Sequence, residues 1–333
     1  MKQTRKRQIY LMLILTVTAM QLFLSELPGQ LVALFSSEDV AAFLLYVSTG
    51  RLAPAVEAET SAPTLPEPVT EPSVPAQPAL FRASQAASID IHSETSYTPN
   101  KESLLLRPLQ WQLVSEEPTV LILHTHATEA YTQDPDDPYT PSSQDRTLDP
   151  DHNMLRVGEY LAQLLRQEGI TVLHDTQLHD YPSYNGSYAD ARKTIAGYLE
   201  EYPSLQLILD LHRDAVDLEN GEPLRTHFSV NGEQTSRLMM VVGTDDGGLY
   251  HPHWQENLAL ALKLHAQLEA QVPGICRFLS FRQERFNQDL LPGTMLIEVG
   301  AAGDTLQQAL AATRHLASAI TALAWGATAD SAG

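Results

Sequence analysis

Three short runs carry the side chains best suited to hydrolysis at a metal ion. Leu121-Ile-Leu-His124-Thr-His126-Ala-Thr-Glu129 ends an apolar run in two histidines and a carboxylate. In an extended chain the period of two turns His124 and His126 to the same side, and Glu129 folds back toward them. Imidazole and carboxylate hold Zn²⁺ while leaving one position for water; histidines that only cap a strand end are the plainer alternative. Leu205-Gln-Leu-Ile-Leu-Asp210-Leu-His212-Arg213-Asp214 sets another histidine at the carboxyl end of another apolar run. Asp210 shares a face with His212 and either orients that ligand or caps the strand. Arg213 is either a surface ion-pair partner or a contact for substrate or an oxyanion. In Pro292-Gly-Thr-Met-Leu-Ile-Glu298-Val-Gly300 a carboxylate interrupts a run that reads as buried on both faces. A lone buried charge is costly unless it is paired. Glu298 is therefore expected to take the proton of a metal-bound water and hand it to a leaving amine; an ion pair with Arg282 or Arg285 is the alternative.

Other residues of suitable type read differently. Asp149 and Asp151 precede a helix, where Asp151 suits the N-cap, although either could replace Glu129 as the carboxylate ligand. His251-Pro-His253 has no strand beneath it and suits groove lining better than metal binding. His152, His174, His179, His227 and His265 show no pattern and read as surface or packing residues.

The elements that must position these residues begin near Thr119. Strands are predicted over Thr119–Leu123, Ile170–Leu173, Leu205–Leu211, Leu238–Val242, Ile275–Phe281 and Thr294–Val299. Between them lie amphipathic runs, the first over Asn153–Glu168 and stopping at Gly169. Ser187-Tyr-Ala-Asp190 looks like a capping box that opens a helix toward Pro203. A long helix is predicted from about Trp254 to Val272, and Asp304 or Thr305 caps a last one toward Leu323. Such alternation implies a single α/β domain over 101–325, with a mostly parallel, about six-stranded sheet covered by helices on both faces. In such sheets the active site lies beyond the carboxyl ends of the strands.

Upstream the character changes. Lys2, Arg5, Lys6 and Arg7 precede an apolar run from Ile9 to Leu24, which reads as an uncleaved, single-pass signal anchor over 1–25 with its basic end in the cytoplasm. Residues 26–50 form an amphipathic juxtamembrane segment, and 51–100 a Pro-rich, disordered tether that holds the catalytic part away from the membrane on the extracytoplasmic side. A formal net charge of −20 excludes nucleic acid as partner. The single cysteine, Cys276, has no internal disulfide partner, so outside the cytoplasm the fold stands on its core and any metal it holds.

His124-Thr-His-Ala-Thr-Glu-Ala-Tyr131, Asp210-Leu-His-Arg-Asp214, Val241-Val-Gly-Thr244 and Asn287-Gln-Asp-Leu-Leu-Pro-Gly-Thr-Met-Leu-Ile-Glu-Val-Gly300 together resemble the stage II sporulation protein P family of zinc-dependent N-acetylmuramoyl-L-alanine amidases. The resemblance spans roughly Val120 to Leu323. It implies a Zn²⁺ site to which His212 carries over, with Glu298 as catalytic acid–base. His126 matches the family's first zinc histidine better than His124 by strand register, and both are retained. The group's ligand glutamate falls just before the first helix, where this chain has Asp149 and Asp151; Glu129 lies nearer the histidine. The resemblance further implies peptidoglycan as substrate, cleavage of peptide cross-links, action in engulfment between mother cell and forespore, and partnership with a lytic transglycosylase and other sporulation membrane proteins. Two rivals are weighed against it. A barrel-type amidohydrolase needs eight strands in about 250 residues, more than this chain supplies. A tethered, wall-binding scaffold would have a degenerate site, whereas these motifs are intact.

Overall fold

The computed structural model describes residues 81–109 and 111–325; the expected anchor, the amphipathic segment and the tether up to residue 80 lie outside the described residues. In chain order the elements are α1 (Ala83–Ser88), β1 (Ile91–Ser93), α2 (Lys101–Leu106), β2 (Val120–Leu123), α3 (Met154–Gln167), β3 (Val172–His174), α4 (Ser187–Glu201), β4 (Leu207–Asp214), β5 (Phe228–Val230), β6 (Glu233–Thr235), β7 (Leu238–Val242), α5 (Trp254–Gln271), β8 (Leu279–Phe281), β9 (Thr294–Ala301) and α6 (Leu306–Ala324). Strands β5 and β6 form a separate hairpin. The main sheet has seven strands in the order β1-β8-β7-β9-β4-β2-β3, parallel except where β7 meets β9. The seventh strand is β1, which lies within the stretch expected to be tether. Folded structure thus begins by residue 81 and not at 101, because Ile89 buries in the core and Ile91–Ser93 pair with Leu279–Phe281.

Alternation along the strands divides the core in two. Val120, Ile122, Leu209, Leu211, Met240, Ile297 and Val299 face one way, into the large cluster formed with α3, α5 and α6. Leu121, Leu123 and Ile208 face the other way, onto Ala191 and Ile195 of α4. Beyond α4 that second face carries Met239, Val241 and Leu296, packed with Phe278 and Phe286. Among the described residues one face is therefore covered by three long helices, whereas the other, the more open face, carries a single long helix, with Met239, Val241 and Leu296 still buried.

Helix ends follow local chemistry. At the end of α3, Gly169 takes φ +79°; its N–H bonds Arg166 O at 3.1 Å, and the Ile170 N–H bonds Leu165 O at 3.1 Å. That is a Schellman stop, in which glycine meets no Cβ penalty. Thr305 and Gln308 exchange reciprocal bonds at the start of α6, an arrangement that contributes about 1 kcal/mol. Two expected caps are corrected. Asn153, not Asp151, caps α3 by accepting from Leu155 N at 3.0 Å. Helix α4 starts behind Gly186 with no side-chain cap, and Asp190 pairs with Lys193 instead.

Candidate active site

Strands β2, β4 and β9 lie side by side in parallel, and the chemistry-bearing residues sit at their carboxyl ends. His212 and Glu298 are register partners across β4 and β9 and share the face on which α4 leaves the sheet open. Just beyond them β9 bulges: His212 pairs with Glu298, whereas Asp214 pairs with Ala301. Gly300 accommodates the extra residue at φ +76°, where a Cβ would lie 2.8 Å from both Ser236 Oγ and Asp304 Oδ2. Bulges of this kind end regular pairing and re-aim side chains beside sites.

His124 and His126 part company. The strand ends at Leu123, so the period of two no longer applies to the residues after it. Asp210 captures the turn, accepting Thr125 N at 2.8 Å and Thr125 Oγ1 at 2.6 Å. His126 swings over the open face, perpendicular to His212 with ring centroids 5.2 Å apart. His124 instead stays on the α3 side, bonded to Leu211 O and to His174 Nε2, both at 3.0 Å. His124 therefore lies outside the cluster, contrary to its expected place among the ligands.

Glu129 returns to the cluster, its Oε2 3.7 Å from His212 Nδ1 and accepting Arg213 N at 3.2 Å. Asp210 Oδ1 lies 2.9 Å from His212 Nε2 but out of hydrogen-bond alignment. Asp151 does not join. It is exposed, its N–H bonds Asp149 Oδ1, and Asp149 in turn accepts from His152 Nδ1 at 2.9 Å. Arg213 is corrected too: as the odd neighbour of His212 it points to the far face. There Nε donates to Ala130 O at 2.9 Å and one Nη to Asp145 O at 2.8 Å. It braces the loop that carries Glu129 and does not face the cluster. The expected alternative for Glu298 is absent, since Arg282 pairs with Glu94 and Glu284, and Arg285 with Asp289. His251 is buried with neither ring nitrogen partnered, and the charged groups that act on it most are Asp289, His253, Asp245 and Arg285, none of them in the cluster.

Several further neighbours come from two loops and the first turn of α4. Tyr184 stacks on His126 at 4.5 Å and 14°. Tyr188 meets His126 edge-on at 5.5 Å and lies parallel to His212 at 6.5 Å. Arg146 bonds Asp180 at 2.6 Å, approaches Glu129 at 3.4 Å and covers the Tyr184 ring at 4.9 Å. An Asp-Arg-Thr run in a loop and two tyrosines around a Gly-Ser turn give no periodic signal from which this gathering could be read.

The electrostatics are strongly polarised. Burial lowers His126, with help from His212, to a pKa of about 3. Burial also acts to lower His212, but Asp210, then Glu129 and Glu298, outweigh it and raise the imidazole to about 10. Burial pushes the Glu298 carboxyl up to about 8 against the pull of His212. Tyr188 is driven well above its ordinary value by burial and by Asp210, Glu298 and Glu129, so its hydroxyl stays protonated.

His126 Nδ1 and Glu298 Oε2 are buried with no hydrogen-bond partner, whereas His212 Nε2 faces Asp210 Oδ1 at 2.9 Å. Each such orphan costs about 1–3 kcal/mol, and together they mark the cluster as built for a ligand. Two imidazoles and a carboxylate form the donor set of hydrolytic zinc, with a second carboxylate beside it, so these residues fit that ion. Ligand atoms of His126, Glu129 and His212 do not all come within 4.8 Å of one another; among the described residues only His265, Glu269 and Cys276 do so.

A sequence model of the Stage II sporulation protein P (SpoIIP) family matches residues 59–321. Stage II sporulation protein P of Bacillus subtilis (strain 168) is 26% identical over 233 residues, which cover 65% of this chain and 53% of that protein. The chain thus spans about half the length of the curated relative it matches. Among solved structures, it is similar to the CwlD amidase from Clostridioides difficile in complex with the GerS lipoprotein (TM-score 0.39, 13% identity, covering 62% of this chain and 97% of that one). It is also similar to the N-acetylmuramoyl-L-alanine amidase AmiC2 of Nostoc punctiforme (TM-score 0.34, 14% identity, 63% and 96%).

Proposed function

The chain belongs to the Stage II sporulation protein P family, and from that premise we propose that it is a zinc-dependent peptidoglycan hydrolase cleaving the amide between the lactyl group of N-acetylmuramic acid and L-alanine. The observation that carries this reading is the convergence of His126, Glu129, His212 and Glu298, with His126 Nδ1 and Glu298 Oε2 buried and left unpartnered. His126, His212 and Glu129 would hold the ion, which when bound supplies Lewis acidity and an acidified water.

The chain's own residues do the remaining work. Glu298 takes a proton at its unpartnered Oε2 and returns it to the leaving amine; burial raises its carboxyl above the ordinary carboxylate range, the direction that suits both halves of that transfer. Tyr188, kept protonated, donates to the oxygen on which charge develops. Asp210 positions His126 through Thr125 while flanking His212. Exposed Tyr184, stacked on His126, presents an aromatic edge beside the open face, suited to the apolar side of a sugar or peptide.

The test is Glu298→Gln. Bound zinc stays near one equivalent per site, while release of fragments from purified walls falls by about 10²–10⁴-fold, the share a positioned acid–base supplies. Mass analysis of those fragments separates the bond types: free lactyl groups mean amidase, and opened cross-links mean endopeptidase. Retained turnover in the variant would reject Glu298 as the proton carrier. Membrane attachment, action during engulfment and a lytic transglycosylase partner belong to this reading through the family alone.

A further inference from the structure

A second convergence of ligand atoms involves the lone cysteine. His265 and Glu269 stand four residues apart on α5 and so share a face of the helix. Past the end of α5 the chain folds back, because Glu269 Oε2 accepts Gly274 N at 2.9 Å and Oε1 accepts Cys276 N at 2.8 Å. Cys276 Sγ comes to 3.9 Å from His265 O. A ring nitrogen of His265, a carboxylate oxygen of Glu269 and Cys276 Sγ all lie within 4.8 Å of one another. His265 is only 5% exposed, and its Nδ1 has no hydrogen-bond partner.

We propose that His265, Glu269 and Cys276 form a second cation site, one that takes a thiophilic divalent ion of the Zn²⁺ type. Thiolate, imidazole and carboxylate are the donors such ions accept, with water completing a tetrahedron. Glu269 keeps lone pairs free after accepting two N–H bonds. Coordination replaces the thiol S–H bond by an S–metal bond and releases the proton to solvent, so affinity rises with pH. The ion ties the end of α5 to the return leading into β8, in a chain whose single cysteine can form no internal disulfide. The site packs against the core on the α5 side of the sheet, away from the open face that carries Glu298.

Cobalt(II) titrated into the purified full chain tests it, because a thiolate ligand produces a near-ultraviolet charge-transfer band that the cysteine-free cluster at His212 cannot. The band is expected in the parent and absent from Cys276→Ser. Cobalt affinity should fall about 10–100-fold in Glu269→Gln and His265→Ala. In the unsubstituted chain, Zn²⁺ should slow alkylation of Cys276 by iodoacetamide about tenfold or more, a loss of free thiolate that follows from coordination and needs no variant. No charge-transfer band in the parent, or equal alkylation with and without Zn²⁺, overturns the proposal. So does a band that survives both His265→Ala and Glu269→Gln at unchanged affinity, since a solitary thiol would then account for it. None of these readouts uses wall hydrolysis, so this site and the catalytic reading stand or fall separately.

Discussion

Replacing Gly158 by alanine asks which histidine belongs to the active site. Gly158 lies within α3, where a Cβ would stand 2.3 Å from His124 Nε2 and 2.5 Å from His174 Nε2. Neither ring is free to move: His124 is bonded to Leu211 O and His174, and His174 Nδ1 lies 3.2 Å from Glu159 Oε2. Overpacking of this kind costs about 1–3 kcal/mol. Contacts under 3 Å with atoms of two rings put the cost in the upper part of that range, about 2–3 kcal/mol; alanine recovers about 0.5–1 kcal/mol over glycine in a helix interior, so the net loss is about 1–2.5 kcal/mol. At about 2–4 °C per kcal/mol for a fold of this size, thermal melts should show Tm lower by about 2–10 °C. Adding His124→Ala opens the space, and the double variant should lose less than the two single losses summed. Fragment release below the melting range should match the parent in Gly158→Ala and His124→Ala, because neither side chain faces Glu298. An unchanged Tm in Gly158→Ala, or abolished turnover in a folded, metal-replete His124→Ala protein, would refute the assignment of His124 to the helical side of the sheet.

The remaining predictions concern the cluster and its supports. Arg213→Met strands Ala130 O and Asp145 O and should cost about 1–3 kcal/mol, read by denaturant melts; no loss would mean that the brace on the Glu129 loop is dispensable. Tyr188→Phe should lower kcat on muropeptides by about 10²-fold with KM nearly unchanged and zinc retained, whereas a rise in KM alone would make the phenol a binding group. Burial acts to raise the Asp304 carboxyl, but donors from Thr226, His227 and Ala301 overcome this and hold it below its ordinary value. Its stabilisation is therefore fully present above the unfolded value of about 3.9 and is lost as pH falls through that value toward the folded one. The acid limb of Tm against pH should accordingly be steeper in the parent than in Asp304→Asn, and equal limbs would exclude the linkage. Chelation should abolish wall digestion and Zn²⁺ restore it; digestion that survives exhaustive chelation would reject a metal-assisted reaction.

Much of the arrangement was legible in the residues themselves. Short apolar runs such as Val120–Leu123 and Leu207–Leu209 suit strands buried on both faces, and parallel strands end on one side, so His212 and Glu298 approach each other once their strands are neighbours. The cost of an unpaired buried carboxylate singled out Glu298 without any coordinates. What followed the strand ends was another matter. Period-two reasoning aligned His124 with His126 but holds only while the chain remains extended, and it was Asp210, 85 residues away, that captured Thr125 and turned His126 alone over the open face. Likewise Arg213 looked available until the loop carbonyls of Ala130 and Asp145 claimed it, and Ile91–Ser93 looked like tether until β8 offered it a free edge. Tyr184, Tyr188, Arg146, and the meeting of His265 and Glu269 with Cys276 depend on loop returns and long-range packing. Local composition carries the tendency to form a strand or a helix, whereas the direction in which an irregular segment sends a side chain is decided only by whichever distant partner satisfies its polar groups.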